Sequence, residues 1–128
     1  MDTLRKPYRP KYLNLAKIRL PVTGVVSILH RISGVLLLMA IPFFIYLLQL
    51  SLSSEVGFSL ALSILGHPLG FLLTVLLCWA LVHHFFAGIR FLLFDLDIGV
   101  NKTSARLAAK LVLLAEVLVL ALVAGVML

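Results

Sequence analysis

Residues 32–54 read ISGVLLLMAIPFFIYLLQLSLSS and contain no Lys, Arg, Asp, Glu or His. A helix of about 20 such residues crosses about 30 Å of hydrocarbon and satisfies its own backbone hydrogen bonds there. Two further stretches meet the same requirement: residues 56–89 carry no charged side chain apart from histidines, and residues 111–128 carry only Glu116. None of the three alternates apolar and polar positions, and three strands could not close a barrel. The expected fold class is therefore an all-α membrane protein with three transmembrane helices. We expect these helices over 22–52, 64–95 and 104–128, preceded by a membrane-face segment over 1–21, in one membrane domain covering 1–128.

Composition points the same way. Hydrophobic residues make up 62% of the 128 and charged residues 12%, and the mean hydropathy is +1.17, more apolar surface than a soluble domain of this size can bury. In a soluble protein the net charge of +6 would suggest nucleic acid. Beside three spans it is a topology signal, and membrane lipid, not nucleic acid, is the expected surrounding. Arg5, Lys6, Arg9, Lys11, Lys17, Arg19 and Arg31 precede the first charge-free window, Arg90, Lys102, Arg106 and Lys110 flank the second connection, and the loop near Glu55 has none. The basic side faces the cytoplasm, so the N-terminus is expected inside and the C-terminus in the periplasm. The opening segment has no small-residue cleavage site after its apolar run and is not Ser-rich, which makes a bacterial cytoplasmic (inner) membrane the expected multi-pass location. The single Cys78 excludes an internal disulfide and an all-cysteine cluster held by this chain alone.

Between the tail and the first span, RPKYLNLAKIRLPVTG (9–24) mixes basic and apolar residues and suits either a segment lying on the membrane face or a basic tail. Pro42 should bend the first helix, and His67 with Pro68 reads as a loop and helix start.

The polar residues inside the spans carry the functional information. Ser27, His30 and Arg31 are three and four apart, so they share one helix face about one turn long. His30 lies about 12 Å in from residue 22 at 1.5 Å per residue, and His84 about 16 Å from Asp95. The two histidine-bearing faces can therefore meet. Ala80 and Gly88 stand one turn either side of His84, a spacing that leaves clearance for a flat cofactor or for helix packing. A buried imidazole is a natural axial ligand for haem iron. His83 points about 100° away from His84, so one of the pair faces a cofactor; the small neighbours favour His84 and leave His83 to a subunit contact or a water-filled site. Neither His30 nor His67 is a clean second ligand within the chain, and a partner chain is expected to supply it.

RPKYLNL (9–15), SILHRISG (27–34) and HFFAGIRFLLFD (84–95) together resemble the cytochrome b membrane-anchor subunits of succinate dehydrogenase, the larger of that enzyme's two anchor chains. The family pattern S-x-x-H-R-x-[ST]-G is matched by Ser27, His30, Arg31, Ser33 and Gly34, and H-x-x-x-G-x-R-x-x-x-x-D by His84, Gly88, Arg90 and Asp95. The resemblance covers essentially the whole chain. It implies that His84 ligates the iron of a haem b shared with the smaller anchor subunit, and that His30 and Arg31 lie beside the haem propionates. It also implies that Ser27 and Arg31 line a ubiquinone site next to the iron-sulphur subunit, with Leu15 and Ile28 as apolar walls. FAD and the iron-sulphur clusters belong to the partner flavoprotein and iron-sulphur subunits, so this chain alone does not oxidise succinate. Three positions depart from the pattern: Lys11 replaces a common aliphatic residue, Phe91 a frequent histidine, and Asp97 a usual glycine, which puts the local turn in question.

Glu116 falls outside these motifs, about 9 Å into the third span by helical rise. An intramembrane carboxylate either pairs structurally or marks an ion path. Two other functions fit the sequence: the anchor of a fumarate-reducing, menaquinol-oxidising relative, and a small proton-coupled transporter built on Glu116. The transporter reading leaves Ser27, His30, Arg31 and His84 without a role.

Overall fold

The computed structural model describes residues 19–127 and contains four helices: α1 (Val22–Ser53), α2 (Glu55–Gly66), α3 (Pro68–Asp95) and α4 (Lys102–Met127). Leu15, the Arg-Pro motif and nearly all of the expected 1–21 segment lie outside the described residues. Three of the helices, α1, α3 and α4, are long and apolar enough to cross a membrane.

α1 begins where Pro21 is extended (φ −65°, ψ 155°) and its carbonyl accepts from the Gly24 and Val25 N–H groups at 2.8 and 3.1 Å. It runs as one helix through Pro42, whose ring nitrogen has no proton to give the Leu38 carbonyl.

α2 is a correction to the expected single helix over 64–95. Ser54 leaves helical geometry (φ −172°, ψ 170°), and its Oγ accepts from the Gly57 N–H at 3.0 Å, which starts a new helix with Glu55 in the favourable first turn. His67 is extended (φ −63°, ψ 141°), as a residue before proline prefers. Pro68 then opens α3 from its first position, and His67 Nδ1 accepts from the Leu69 N–H at 3.3 Å. At 12 residues α2 is about 18 Å long, too short to span. The reversal into α3 needs a glycine at position 70, because a Cβ there would lie 2.0 Å from the Ile64 carbonyl oxygen.

The turn after α3 forms despite the aspartate at 97. Asp97 takes the left-handed conformation (φ 58°), which Asp tolerates better than most residues. Its N–H donates to Phe94 O at 3.0 Å and that of Ile98 to Leu93 O at 2.9 Å, the paired bonds of a Schellman C-cap. Asn101 then caps α4, its side-chain oxygen accepting from Ser104 N–H at 2.9 Å. This cap places the start of α4 two residues before the expected 104.

α3 packs against α1, α2 and α4. Its meeting with α1 and α4 is a small core of Val26, Ala87, Ala109 and Val112, flanked by Val22, Phe86 and Leu113. The alanines let the backbones approach closely, the usual basis of helix packing where lipid supplies no hydrophobic drive. Leu38, Met39, Leu72, Leu92 and Leu122 remain largely exposed on the outside, as lipid-facing residues do.

Candidate functional site

α1 and α3 bring His30 and His84 face to face, with ring centroids 4.1 Å apart and planes within 8° of parallel. This approach depends on Gly34, where a Cβ would stand 2.9 Å from His84 Cε1. His84 Nδ1 lies 3.1 Å from the His30 carbonyl oxygen and 3.2 Å from Ser33 Oγ. A carbonyl oxygen can only accept, so Nδ1 carries the ring proton and donates it there. Ser33, fully buried, gives its own hydroxyl proton to the same carbonyl at 2.9 Å, so it receives from Nδ1–H as a second acceptor. The tautomer that follows leaves the Nε2 lone pair free, the arrangement found behind metal-bound histidines. His84 is therefore chemically fit to ligate haem iron.

His30 does not complete a ligand pair. Stacking turns the two ring faces, and not their nitrogens, toward one another. The His30 ring also meets Phe91, tilted by 51° with centroids 5.1 Å apart, so the residue in place of the frequent histidine packs on this ring. Among the described residues no group of three His, Cys, Asp or Glu side chains could hold a metal ion.

The two small neighbours of His84 have different fates. Gly88 is half-buried, and a Cβ there would meet His30 Nε2 at 3.6 Å, so its missing side chain opens toward the imidazole pair. Ala80 is fully buried within the chain. Its small size lets α3 pack closely against its neighbours. Ser27 is half-buried, while Arg31 and Ile28 lie on the exposed side of α1. Their i, i+1 and i, i+4 spacing keeps them near one another on that helix, and Leu15 lies outside the described residues.

His83 departs from the expected subunit contact: it is completely buried within the chain and faces α4. Its Nδ1 lies 2.8 Å from Glu116 Oε2, and its Nε2 lies 3.4 Å from the Val26 carbonyl oxygen. Trp79 Nε1–H donates to Glu116 Oε1, and the Trp79 indole stacks loosely on His83 with centroids 5.7 Å apart. Hydrogen bonds to both oxygens lower the cost of placing the carboxyl group in a membrane helix bundle. Glu116 thus has partners on both oxygens, and the structural-pairing alternative describes it.

This arrangement predicts an asymmetry. In Glu116→Leu the Trp79 and His83 donors lose their acceptor, and the assembled protein should lose about 3 kcal/mol, the lower end for breaking a buried pair. Glu116→Gln can still accept from Trp79 and donate to His83 Nδ1, so it should stay near wild type. The half-life of the detergent-solubilised complex at raised temperature measures both, and equal half-lives for the Leu and Gln variants would contradict the assignment.

Arg90 is 5% exposed, with its Nε and Nη1 buried and unpartnered among the described residues. Its Cζ sits 4.4 Å from the Phe94 ring centroid and 5.3 Å from that of Phe91, within cation–π range. Sequence reasoning named Ser33 and Gly34 as motif positions without a task. The signal was present in their spacing from His30, which puts them at the α1–α3 contact.

Residues 5–124 match the family described as succinate dehydrogenase/fumarate reductase transmembrane subunit. The chain is 35% identical over 102 residues to a succinate dehydrogenase cytochrome b556 subunit of Coxiella burnetii, covering 79% of this chain and 82% of that protein. It is 32% identical over 120 residues to the subunit of the same name from Paracoccus denitrificans, covering 90% and 92%. A cytochrome b560 subunit of the same enzyme from Reclinomonas americana is 36% identical over 93 residues, covering 68% and 64%.

Proposed function

The chain belongs to the succinate dehydrogenase/fumarate reductase transmembrane-subunit family, as a cytochrome b anchor subunit, and from that premise we propose that it anchors a succinate:ubiquinone oxidoreductase in a bacterial inner membrane. It is a multi-pass membrane protein of an oxidoreductase complex. In the proposed assembly its N-terminus faces the cytoplasm and its C-terminus the periplasm, following the basic residues. It docks a flavoprotein subunit with FAD and an iron-sulphur subunit. A smaller anchor subunit packs against it and supplies the second haem ligand.

The observation that carries this reading is the His84 imidazole, with Nδ1–H held by the His30 carbonyl and Ser33 and Nε2 left free. His84 would hold haem b, which supplies one-electron transfer when bound. His30 and Arg31 would neutralise the haem propionates, and Gly88 leaves room beside the imidazole pair. Ser27 donates a hydrogen bond to a ubiquinone carbonyl, while Arg31 stabilises negative charge on that oxygen as electrons arrive. Leu15 and Ile28 wall the quinone site. No residue of this chain acts on succinate.

The relatives above are all succinate dehydrogenase subunits by name, which favours succinate oxidation over the fumarate-reducing, menaquinol-oxidising alternative. The engagement of Glu116 by His83 and Trp79 takes away the motive for a proton-coupled transporter.

Purification through a tag on this chain tests the assembly. A flavoprotein, an iron-sulphur protein and a second, smaller membrane chain should co-purify in equal amounts; recovery of this chain alone in mild detergent would overturn the proposal. The ring seat is tested by Gly34→Val, whose branched side chain cannot fit against His84. Haem content per complex should fall about 10-fold, the lower end for disturbing a ligand's supporting shell, and an unchanged haem-to-flavin ratio would show that Gly34 does not seat His84.

A further inference from the structure

The His83–Glu116–Trp79 cluster has no task in the proposed reaction, yet it occupies the residue next to the haem ligand. We propose that Glu116 is a positioning residue which, through His83, sets the rotation of α3 and so aims the His84 ring. The inference rests on the haem reading above and concerns this chain's own side chains.

Two consecutive residues of α3 engage two carbonyls one turn apart on α1. His83 Nε2 is 3.4 Å from the oxygen of Val26, and His84 Nδ1 is 3.1 Å from that of His30. Rotation of α3 about its axis displaces both imidazoles together, so a restraint on either one restrains the other. The carbonyl contact of His83 is long and weak on its own. Its other nitrogen supplies the restraint, at 2.8 Å from Glu116 Oε2 on α4. Trp79, four residues before His83 and on the same face, binds the other carboxylate oxygen. Glu116 thereby grips α3 at two successive turns from α4, while His83 reaches on to α1.

Apolar contacts alone hold the rotation of α3 weakly. Leu69, Phe71, Leu72, Leu81, Phe85 and Leu92 are exposed, and lipid supplies no hydrophobic drive to bury one of them over another. Its buried stripe is Leu77, Ala80, His83, Ala87 and Arg90, in which the two alanines permit close packing but give no directional restraint. Directional hydrogen bonds to a fixed carboxylate fix the angle that packing leaves loose. Orientation of a ligand imidazole and the strength of its Nδ1–H bond are levers on haem electronics.

The test uses the purified complex in three forms besides wild type: Glu116→Gln, Glu116→Leu, and the double variant H83L/E116L, in which apolar side chains replace the pair and assembly is retained. Low-temperature electron paramagnetic resonance of the oxidised complex reads the largest g-value of the ferric haem, which depends on the angle between the axial ligand planes. A potentiometric titration reads its midpoint. The wild type and Glu116→Gln should share one g-value and one midpoint. H83L/E116L should show a shifted or broadened g-value and a displaced midpoint even though its thermal half-life recovers in part, Trp79 alone being left without its acceptor, with Glu116→Leu shifted likewise. Wild-type values in the double variant would overturn the positioning role and leave the cluster purely structural. Absence of ferric haem from the wild-type complex would instead overturn the haem reading itself, so the two failures are told apart.

Discussion

His84→Leu is expected to remove the b-type haem from the complex. Leucine has no lone pair to place where Nε2 stood, and its branched side chain keeps the volume of the site, so the loss reports ligation and not collapse. No nearby histidine can substitute. His30 is stacked face to face with the His84 ring, and His83 is turned into α4 with Glu116 on its Nδ1. Reduced-minus-oxidised spectra of membranes normalised to flavin should lose the b-type band almost completely. A band of wild-type size would move the ligand off this residue.

Arg31→Leu is expected to depress succinate-to-quinone turnover by about 100-fold, the loss typical when one preorganised charge-stabilising donor is removed. Succinate oxidation by a soluble artificial acceptor should remain near wild type, because flavin and clusters are carried by partner subunits. Arg31 is exposed on α1, so its removal leaves no buried partner unsatisfied within this chain. Parallel steady-state assays with the two acceptors decide it. Equal loss in both would locate the effect in assembly and not at the quinone.

The three spans were legible because lipid imposes a hard rule: an unpaired backbone group or a free charge in hydrocarbon is too costly, so windows such as 32–54 announce themselves. The meeting of His30 and His84 was legible from depth alone, since 1.5 Å per residue from opposite ends of two helices leads to similar levels. α2 was legible only at its end. His67 and Pro68 announced the helix start that opens α3, but residues 56–89 form one uncharged run, and nothing in it marked Ser54 as the cap of a separate helix. Nor was the partner of His83 legible. Glu116 is 33 residues away, and which faces of α3 and α4 oppose one another follows from how Ala87 and Ala109 nest in the core. The spacing of Ala80 and Gly88 was equally compatible with clearance and packing, and only burial separates them: Ala80 is closed off, whereas Gly88 looks onto His30. Asp97, where the sequence left the turn in doubt, adopts the positive φ that a glycine would have taken.

The presence of haem b in the complex assembled around this chain is the most direct test of its function. A dithionite-reduced minus air-oxidised difference spectrum of the complex purified through a tag on this chain, calibrated against its flavin content, measures that. A b-type haem signal at one haem per flavin is expected. A complex that retains its flavoprotein, iron-sulphur and second membrane chains but shows no b-type signal would contradict it.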